Sequence, residues 1–206
     1  IRELNAASVK KDVTSSKSAW GLNSYFSRLN MNWAGKYFIS GSVRADGSSR
    51  FGANNRWGVF PSASAAWRLS EESFFPKSKV LSEVKLKDSW GRRGNQDIAN
   101  FASRALIAPG ANYLQRAGLA PTQLGNPNLT WETSKKTDIG INFGIMKDRM
   151  TFEIGYYNSN NNGLLLFVPQ PPSAGLPSTI PQNIGSMYNR GLEFAVNFSA
   201  VQKKDF

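Results

Sequence analysis

Apolar and polar residues alternate with a period of two along much of this chain, and no other feature limits its possible folds as strongly. Between residues 24 and 33 one side of the pattern is mostly apolar, from Tyr25 to Trp33, and the other side includes Arg28 and Asn30. Successive side chains of a β-strand point to opposite faces, so the pattern predicts strands with one apolar and one polar face. Six more such segments follow, at about residues 37–46, 57–69, 84–89, 133–145, 150–157 and 191–200. The chain is therefore predicted to be all-β, an antiparallel meander of about seven strands.

The connections between these segments alternate in length. Residues 34–36 and 146–149 make short turns and 70–81 a connection of middling length, whereas 47–56, 92–130 and 158–186 are longer. One end of the sheet would therefore carry short turns and the other long loops, which is the arrangement of outer-membrane β-barrels. The alternative is a soluble all-β glycan-binding module, a sandwich in which the apolar faces pack on each other.

Hydropathy excludes a helical membrane protein. The longest unbroken apolar run is five residues, 164–168, whereas a spanning helix needs about 20. A spanning β-strand needs only about 9–11 residues with every second one apolar, so a mean hydropathy of −0.39 is compatible with a barrel.

The alternation assigns charged side chains to one face. An Arg on the lipid face of a barrel costs about 2–4 kcal/mol near the bilayer midplane. We therefore expect the charged side chains of the polar segments to face the lumen, namely Arg28, Arg44, Glu132, Glu153 and Glu193. Asp88 and Lys135 fall on the apolar side, and we expect each to lie near the loop end of its strand, where the cost is small.

Tryptophans lie where the segments end. Outer-membrane barrels carry a girdle of aromatic residues at each membrane interface. On this basis we expect five interfacial tryptophans, Trp33, Trp57, Trp67, Trp90 and Trp131.

Composition removes several classes of function. The chain has no Cys and no His, which excludes thiolate and imidazole metal sites, disulfides and histidine-dependent nucleophiles. Neither Asp46 with Asn54 and Asn55 nor Glu71 with Glu72 makes a convincing site, since the first has one carboxylate and the second is expected to be a solvated turn. The net charge of +11 is scattered over loops rather than gathered on one element, so we expect no nucleic-acid partner. We predict no enzyme activity and no cofactor.

The stretch from residue 44 to 61 is rich in residues that favour turns. Asp46-Gly47 is followed by two serines, and a second cluster spans residues 52–55. We expect a loop here, with Asp46 and Gly47 serving its turn geometry. Pro61 follows in the next segment and predicts an edge or a disturbed ladder at that point.

Several ordered segments, covering roughly residues 20 to 200, together resemble the SusC/RagA type of TonB-dependent outer-membrane receptor. They include Ser24-Tyr25-Phe26-Ser27-Arg28-Leu29-Asn30, Arg44-Ala45-Asp46-Gly47-Ser48-Ser49-Arg50-Phe51-Gly52, Trp57-Gly58-Val59-Phe60-Pro61-Ser62, Lys85-Leu86-Lys87-Asp88-Ser89-Trp90-Gly91, Gly125-Asn126-Pro127-Asn128-Leu129-Thr130-Trp131-Glu132 and Asn189-Arg190-Gly191-Leu192-Glu193.

This resemblance implies a 22-stranded transmembrane β-barrel in the outer membrane of a Gram-negative bacterium of the Bacteroidetes type. Residues 1–206 would be a fragment of the barrel domain, with the plug domain and the remaining strands absent. The implied function is active import of oligosaccharides or peptides. The implied partners are TonB, acting through the missing plug, a SusD-like surface lipoprotein that closes the barrel, and the lipid and lipopolysaccharide of the outer membrane.

The long segment 92–130 holds the candidate contact residues. Its basic side chains are suited to an acidic glycan, to lipopolysaccharide or to the lid lipoprotein, and its aromatic rings can stack on sugars or on the lid. The residues we single out for contact with the substrate or the lid are Arg92, Arg93, Asn95, Phe101 and Tyr113.

Overall fold

All seven alternating segments are strands, and four short strands lie in the long loops between them. The computed structural model describes residues 17–199 except 79, 117 and 176. Residues 1–16, interpreted from the sequence as the end of a loop, lie outside the described residues. The strands are β1 Leu22–Trp33, β2 Tyr37–Ser48, β3 Trp57–Arg68, β4 Leu81–Asn95, β5 Leu106–Pro109, β6 Leu119–Gln123, β7 Glu132–Ile145, β8 Met150–Asn162, β9 Leu165–Pro169, β10 Thr179–Asn183 and β11 Ser186–Phe198.

The seven long strands form one antiparallel sheet in the order β1-β2-β3-β4-β7-β8-β11. Every neighbour is therefore the next long strand along the chain, as the sequence predicts. The four short strands form two separate hairpins, β5–β6 and β9–β10. Both hairpins belong to the loops at one end of the sheet, which we call the loop end. The opposite end, with residues 34–36, 69–78 and 146–149, is the turn end. Among the described residues, no helix is long and apolar enough to cross a bilayer.

Several strands extend beyond their predicted limits. β4 continues to Asn95 rather than ending at residues 90–91, and β8 continues through the Asn-rich stretch to Asn162. The predicted structureless segments, 92–130 and 158–186, each contain strand at their start and a hairpin further on. The alternation could not reveal the ends of β4 and β8 because their side chains are small or polar on both faces. It could not reveal the hairpin strands because they have only four or five residues each and do not alternate.

The predicted turn geometry of Asp46 and Gly47 is wrong. Both residues lie in β2 and pair with Gly58 and Trp57 of β3. Gly47 is required for space, because a Cβ there would lie 2.8 Å from the indole of Trp57. Asp46 is buried and accepts a hydrogen bond of 2.7 Å from Nε of Arg44. The loop proper is shorter, residues 49–56.

The predicted disturbance at Pro61 is present. Pro61 pairs with Val43 of β2, but the ladder between β3 and β4 runs only from Ser62–Gly91 to Arg68–Lys85. The missing N–H of Pro61 therefore falls where β3 stops pairing with β4. Beyond this point the two strands separate towards the loop end.

The two faces of the sheet differ as the alternation requires. Cross-strand partners share a face, and following the registers from β1 to β11 assigns each position to an apolar or a polar face. The apolar face is solvent-exposed in this chain, with Leu29 at 73% and Phe194 at 70%. A soluble sandwich would bury this face against a second sheet, and in the described residues no second sheet covers it.

Aromatic rings and one carboxylate organise the turn end. Tyr37 stacks on Trp67 and contacts Trp33, with ring centroids 6.2 and 5.7 Å apart. Glu72 accepts hydrogen bonds from Tyr37 Oη at 2.6 Å, Trp67 Nε1 at 3.0 Å and Lys36 Nζ at 3.3 Å. These hydrogen bonds hold the pKa of the Glu72 carboxyl below its usual value, and the bond from Tyr37 has the largest effect. The expectation of a solvated Glu71-Glu72 turn is therefore wrong for Glu72.

Candidate functional site

The candidate site is the polar face of the sheet together with the loops at its loop end. All five predicted lumen-facing residues lie on this face, because the cross-strand registers give them the same orientation; they are Arg28, Arg44, Glu132, Glu153 and Glu193. The strands therefore present their charges to one side, towards a common space.

Ion pairs neutralise much of the charge on this face. Lys136 Nζ lies 2.7 Å from Asp138 Oδ1, and Lys87 pairs with Glu153 across β7. Arg44 pairs with Asp46 at 2.7 Å, and Arg68 with Glu83 at 3.1 Å. These pairs are at least partly solvent-exposed, so each contributes roughly 0–1 kcal/mol to stability. Their main effect is to make the polar face hydrophilic without a large net charge.

Two grooves run across the polar face. One, of about 790 Å³, extends from Asn30 on β1 to Glu193 on β11. The other, of about 640 Å³, lies nearer the loop end and is lined by Arg28, Arg44 and Arg93. Its floor is made of small hydroxyl side chains, since Ser40 and Ser64 are hydrogen-bonded at 2.7 Å, as are Ser42 and Ser62. A groove with a small polar floor and cationic margins is suited to hydrophilic solutes.

A buried aromatic cluster joins the loops at the loop end. Trp131 contacts Phe51 and Phe60, with ring centroids 5.0 and 5.3 Å apart, and Leu129 and Ala102 are fully buried beside them. The ring of Phe60 fills the space where β3 and β4 separate, since a Cβ on Gly94 would lie 2.1 Å from it. The alternation places Phe60 on the polar face, and an aromatic residue there was the signal for a loop contact.

Polar contacts hold the same loops together. Arg50 donates to Asn100 Oδ1 at 3.0 Å and to the carbonyl oxygen of Gln96 at 3.1 Å. Asn183 of β10 donates to the carbonyl oxygen of Thr130 at 2.7 Å, and its own Oδ1 accepts from the Thr130 N–H at 2.8 Å. Loops from three connections therefore form one packed body above the polar face.

Four of the five predicted interfacial tryptophans lie on the apolar face: Trp33, Trp57 and Trp90, which are at least 41% exposed, and the half-buried Trp67. Trp131 does not. Its side chain is 7% exposed in the loop cluster, and its Nε1 donates to the carbonyl oxygen of Arg56 at 2.9 Å. The interfacial prediction is wrong for Trp131 because position near a strand end does not distinguish a lipid-facing ring from one that packs between loops.

The predicted contact residues are divided among four places. Arg93 and Asn95 lie on the polar face at the loop end of β4, whereas Arg92 points to the apolar face. Phe101 is 37% exposed beside the loop cluster and lies under the guanidinium of Arg104 at 5.9 Å. Tyr113 is 77% exposed and lies in the connection between β5 and β6. The structure thus brings Arg93 and Asn95 together and leaves the other three apart.

Asp88 is not near a strand end as predicted. Because β4 extends to Asn95, Asp88 lies in the middle of the strand, opposite Ile139 and Ala65. Lys135 does lie near the loop end, opposite Arg92. Within the described part of the chain, no three His, Cys, Asp or Glu side chains are grouped as metal ligands.

Residues 4–202 match the family model described as TonB dependent receptor-like, beta-barrel. The TonB-dependent receptor P26 of Formosa agariphila is 36% identical over 205 residues, which is 98% of this chain and 21% of that protein. The TonB-dependent receptor SusC of Bacteroides thetaiotaomicron is 36% identical over 192 residues, 90% of this chain and 19% of that protein. The chain thus spans about a fifth of the length of the curated relatives it matches.

Solved structures give the same relationship. The structure of the RagAB peptide transporter matches with a TM-score of 0.82 and 34% identity, over 90% of this chain and 20% of that chain. The siderophore receptor PirA from Pseudomonas aeruginosa matches with a TM-score of 0.57 and 18% identity, over 85% of this chain and 30% of that one. At that identity PirA shows a shared fold alone.

Proposed function

The chain belongs to the TonB-dependent receptor-like β-barrel family and resembles SusC, and on this premise we propose that it supplies seven strands of a 22-stranded outer-membrane importer. The observation that carries the proposal is the two-faced sheet. Its exposed apolar face is suited to lipid, and its ion-paired polar face, with grooves of about 790 and 640 Å³, is suited to a hydrated lumen. The long loops would lie on the extracellular side and the short turns on the periplasmic side.

The proposed cargo is an oligosaccharide or a peptide, taken up with energy from TonB. RagAB is named as a peptide transporter, and SusC is a TonB-dependent receptor. The serine floor and the neighbouring Arg and Asn side chains can hydrogen-bond to either class of cargo. In the whole protein, a plug domain outside residues 1–206 would receive TonB, and a SusD-like lipoprotein would cover the loop end. The proposed location is the outer membrane of a bacterium of the Bacteroidetes type, since one relative comes from Bacteroides.

We assign separate roles to the candidate contact residues. Arg93 and Asn95 would contact cargo, because both lie on the polar face at the loop end and Arg93 lines the groove there. Phe101 and Tyr113 would contact the lid, because their rings are exposed on the loop body. Arg92 also borders this groove, but its register directs its Cβ to the apolar face, so we assign it no contact with cargo.

Uptake by variants of the full-length receptor tests these roles. Arg93→Ala is expected to reduce uptake about tenfold, the loss that follows removal of a hydrogen bond to a charged group. Arg92→Ala is the matched control, since it removes the same charge from the neighbouring residue on the opposite face, and its uptake should equal that of the parent receptor. The measurement is uptake of a labelled oligosaccharide and a labelled peptide in cells that also produce the lid lipoprotein. Equal uptake by both variants and the parent would contradict the assignment of Arg93.

A further inference from the structure

Three cations without acidic partners lie on the apolar face near the loop end. Arg92 of β4 is directly opposite Lys135 of β7, so their Cβ atoms are about 5 Å apart. Arg190 of β11 lies one cross-strand row nearer the turn end, in the row of Trp90 and Thr137. Within the described residues, none of the three has a carboxylate within 4.0 Å, although five ion pairs form elsewhere.

Uncharged polar side chains complete this patch. Asn160 is opposite Lys135, and Asn158 lies between Thr137 and Arg190. Tyr188, which ends the row of Arg92 and Lys135, carries the Arg190 guanidinium 5.8 Å from its ring centroid. We call this set the outer cation patch; its members are Arg92, Lys135, Thr137, Asn158, Asn160 and Arg190. By register it is a continuous polar area on a face whose other strand positions are mostly apolar, with Asp88 and Asn162 among the exceptions.

The patch is electrostatically unfavourable without an anion. Like charges directly opposite each other on neighbouring strands destabilise a sheet, and a cation facing lipid has a further cost that depends on depth. Asp88, the acidic residue on this face of the described strands, lies four residues from Arg92 along β4, about 13 Å away. It is therefore too distant to neutralise the Arg92–Lys135 pair.

A cleft opens beside the patch. It has a volume of about 480 Å³ and lies where β3 and β4 stop pairing. Trp57 and Val59 line its apolar side, and Arg92, Thr133 and Asn162 line the side next to the patch. An aromatic wall beside cationic and amide donors is suited to a sugar ring that carries a phosphate.

We propose that the outer cation patch and this cleft bind the phosphorylated disaccharide headgroup of an outer-leaflet glycolipid, the lipid A part of lipopolysaccharide. Arg92, Lys135 and Arg190 would bind phosphate oxygens, and the cleft would hold a sugar ring. In the next row, Ile139, Tyr156 and Leu192 form an apolar band that ends at Asp88 of β4, and acyl chains attached to the headgroup can lie along this band. The inference rests on the proposed orientation, in which the long loops are extracellular.

Binding of defined lipids to the full-length, delipidated receptor in detergent tests the proposal. The probes are bisphosphorylated lipid A, dephosphorylated lipid A and inorganic phosphate, and the readout is bound lipid by native mass spectrometry. The triple variant Arg92→Gln, Lys135→Gln, Arg190→Gln should bind bisphosphorylated lipid A at least about tenfold more weakly than the parent. The parent receptor should bind dephosphorylated lipid A as weakly as the triple variant binds the bisphosphorylated form. Millimolar inorganic phosphate should not displace the bound lipid.

The control variant removes three cations from the polar face instead, by Arg28→Gln, Lys85→Gln and Arg93→Gln, and should bind lipid A like the parent. Equal lipid binding by the parent and the outer triple variant would overturn the proposal. An equal loss of lipid binding in the control variant, or displacement of the lipid by inorganic phosphate, would also overturn it.

If the triple variant does not fold, the single variant Lys135→Gln provides the test. It relieves the like-charge pair, so it should keep the stability of the lipid-free receptor and still weaken lipid A binding. Cargo uptake by the outer variants should be unchanged, so failure of lipid binding and failure of the importer role give different results.

Discussion

Trp131→Ala is expected to lower the free energy of unfolding of the loop body by about 3–5 kcal/mol, the usual cost of removing a large buried aromatic side chain. Trp131 is 7% exposed and contacts both Phe51 and Phe60. Its indole also donates to the carbonyl oxygen of Arg56 at 2.9 Å, so the variant leaves that acceptor without its partner. Since Phe60 fills the gap between β3 and β4, loss of the ring behind it should free the loops from the sheet.

Hydrogen exchange of the full-length receptor in detergent micelles measures this effect. The amides of residues 49–56 and 96–131 should exchange faster in Trp131→Ala, while those of β7 and β8 remain protected. Trp33→Ala is the matched control, because that tryptophan is 68% exposed and lies at the turn end. It should leave exchange in the loops unchanged. Unchanged loop exchange in Trp131→Ala would show that the cluster does not hold the loops.

Ile141→Arg is expected to reduce the stability of the barrel in a bilayer by about 2–4 kcal/mol, the cost of an Arg facing lipid near the midplane. Ile141 lies on the apolar face of β7, opposite Leu86 of β4 and Ile154 of β8. The adjacent substitution, Asn142→Arg, places the same charge on the polar face, between Glu153 of β8 and Lys85 of β4. Repulsion from Lys85 offsets part of the attraction to Glu153, but the hydrated groove can accept the charge, so its cost should be below that of Ile141→Arg.

Urea-induced unfolding in phospholipid vesicles compares the two variants of the full-length receptor. The free energy of unfolding should be highest for the parent receptor, lower for Asn142→Arg and lowest for Ile141→Arg. The reverse order, or equal values for the two variants, would contradict the assignment of the two faces.

The features that depend on a period of two could be predicted from the sequence. Arg28 and Glu193 lie on strands at opposite edges of the sheet, and yet the alternation alone assigned both to the same face. This works because a slip of one residue would turn a whole strand over, so the pattern fixes the face strongly. The seven strands follow from the same alternation, and their order and the division into short turns and long loops agree with the lengths of the connections.

Features that depend on contacts between loops could not be predicted in this way. Asp46 and Gly47 have the composition of a turn, but pairing with β3 keeps them extended and the Trp57 ring takes the space beside Gly47. The sequence predicts an interfacial Trp131 because nothing local reveals the rings of Phe51 and Phe60, which are distant in sequence. It predicts Asp88 near a loop because the strand beyond it, with Gly91 and Gly94, has few apolar side chains to mark it.

The most direct test of the two-faced membrane sheet is the accessibility of single spin labels on β2 of the full-length receptor in lipid vesicles. These 206 residues contain no cysteine, so each introduced cysteine is unique within them. Labels at Ile39→Cys and Val43→Cys, on the apolar face, should collide with oxygen dissolved in the lipid. Labels at Ser40→Cys and Ser42→Cys, on the polar face, should collide instead with a water-soluble nickel complex. Equal accessibility at all four positions, or the opposite alternation, would contradict a transmembrane sheet with a hydrated polar face.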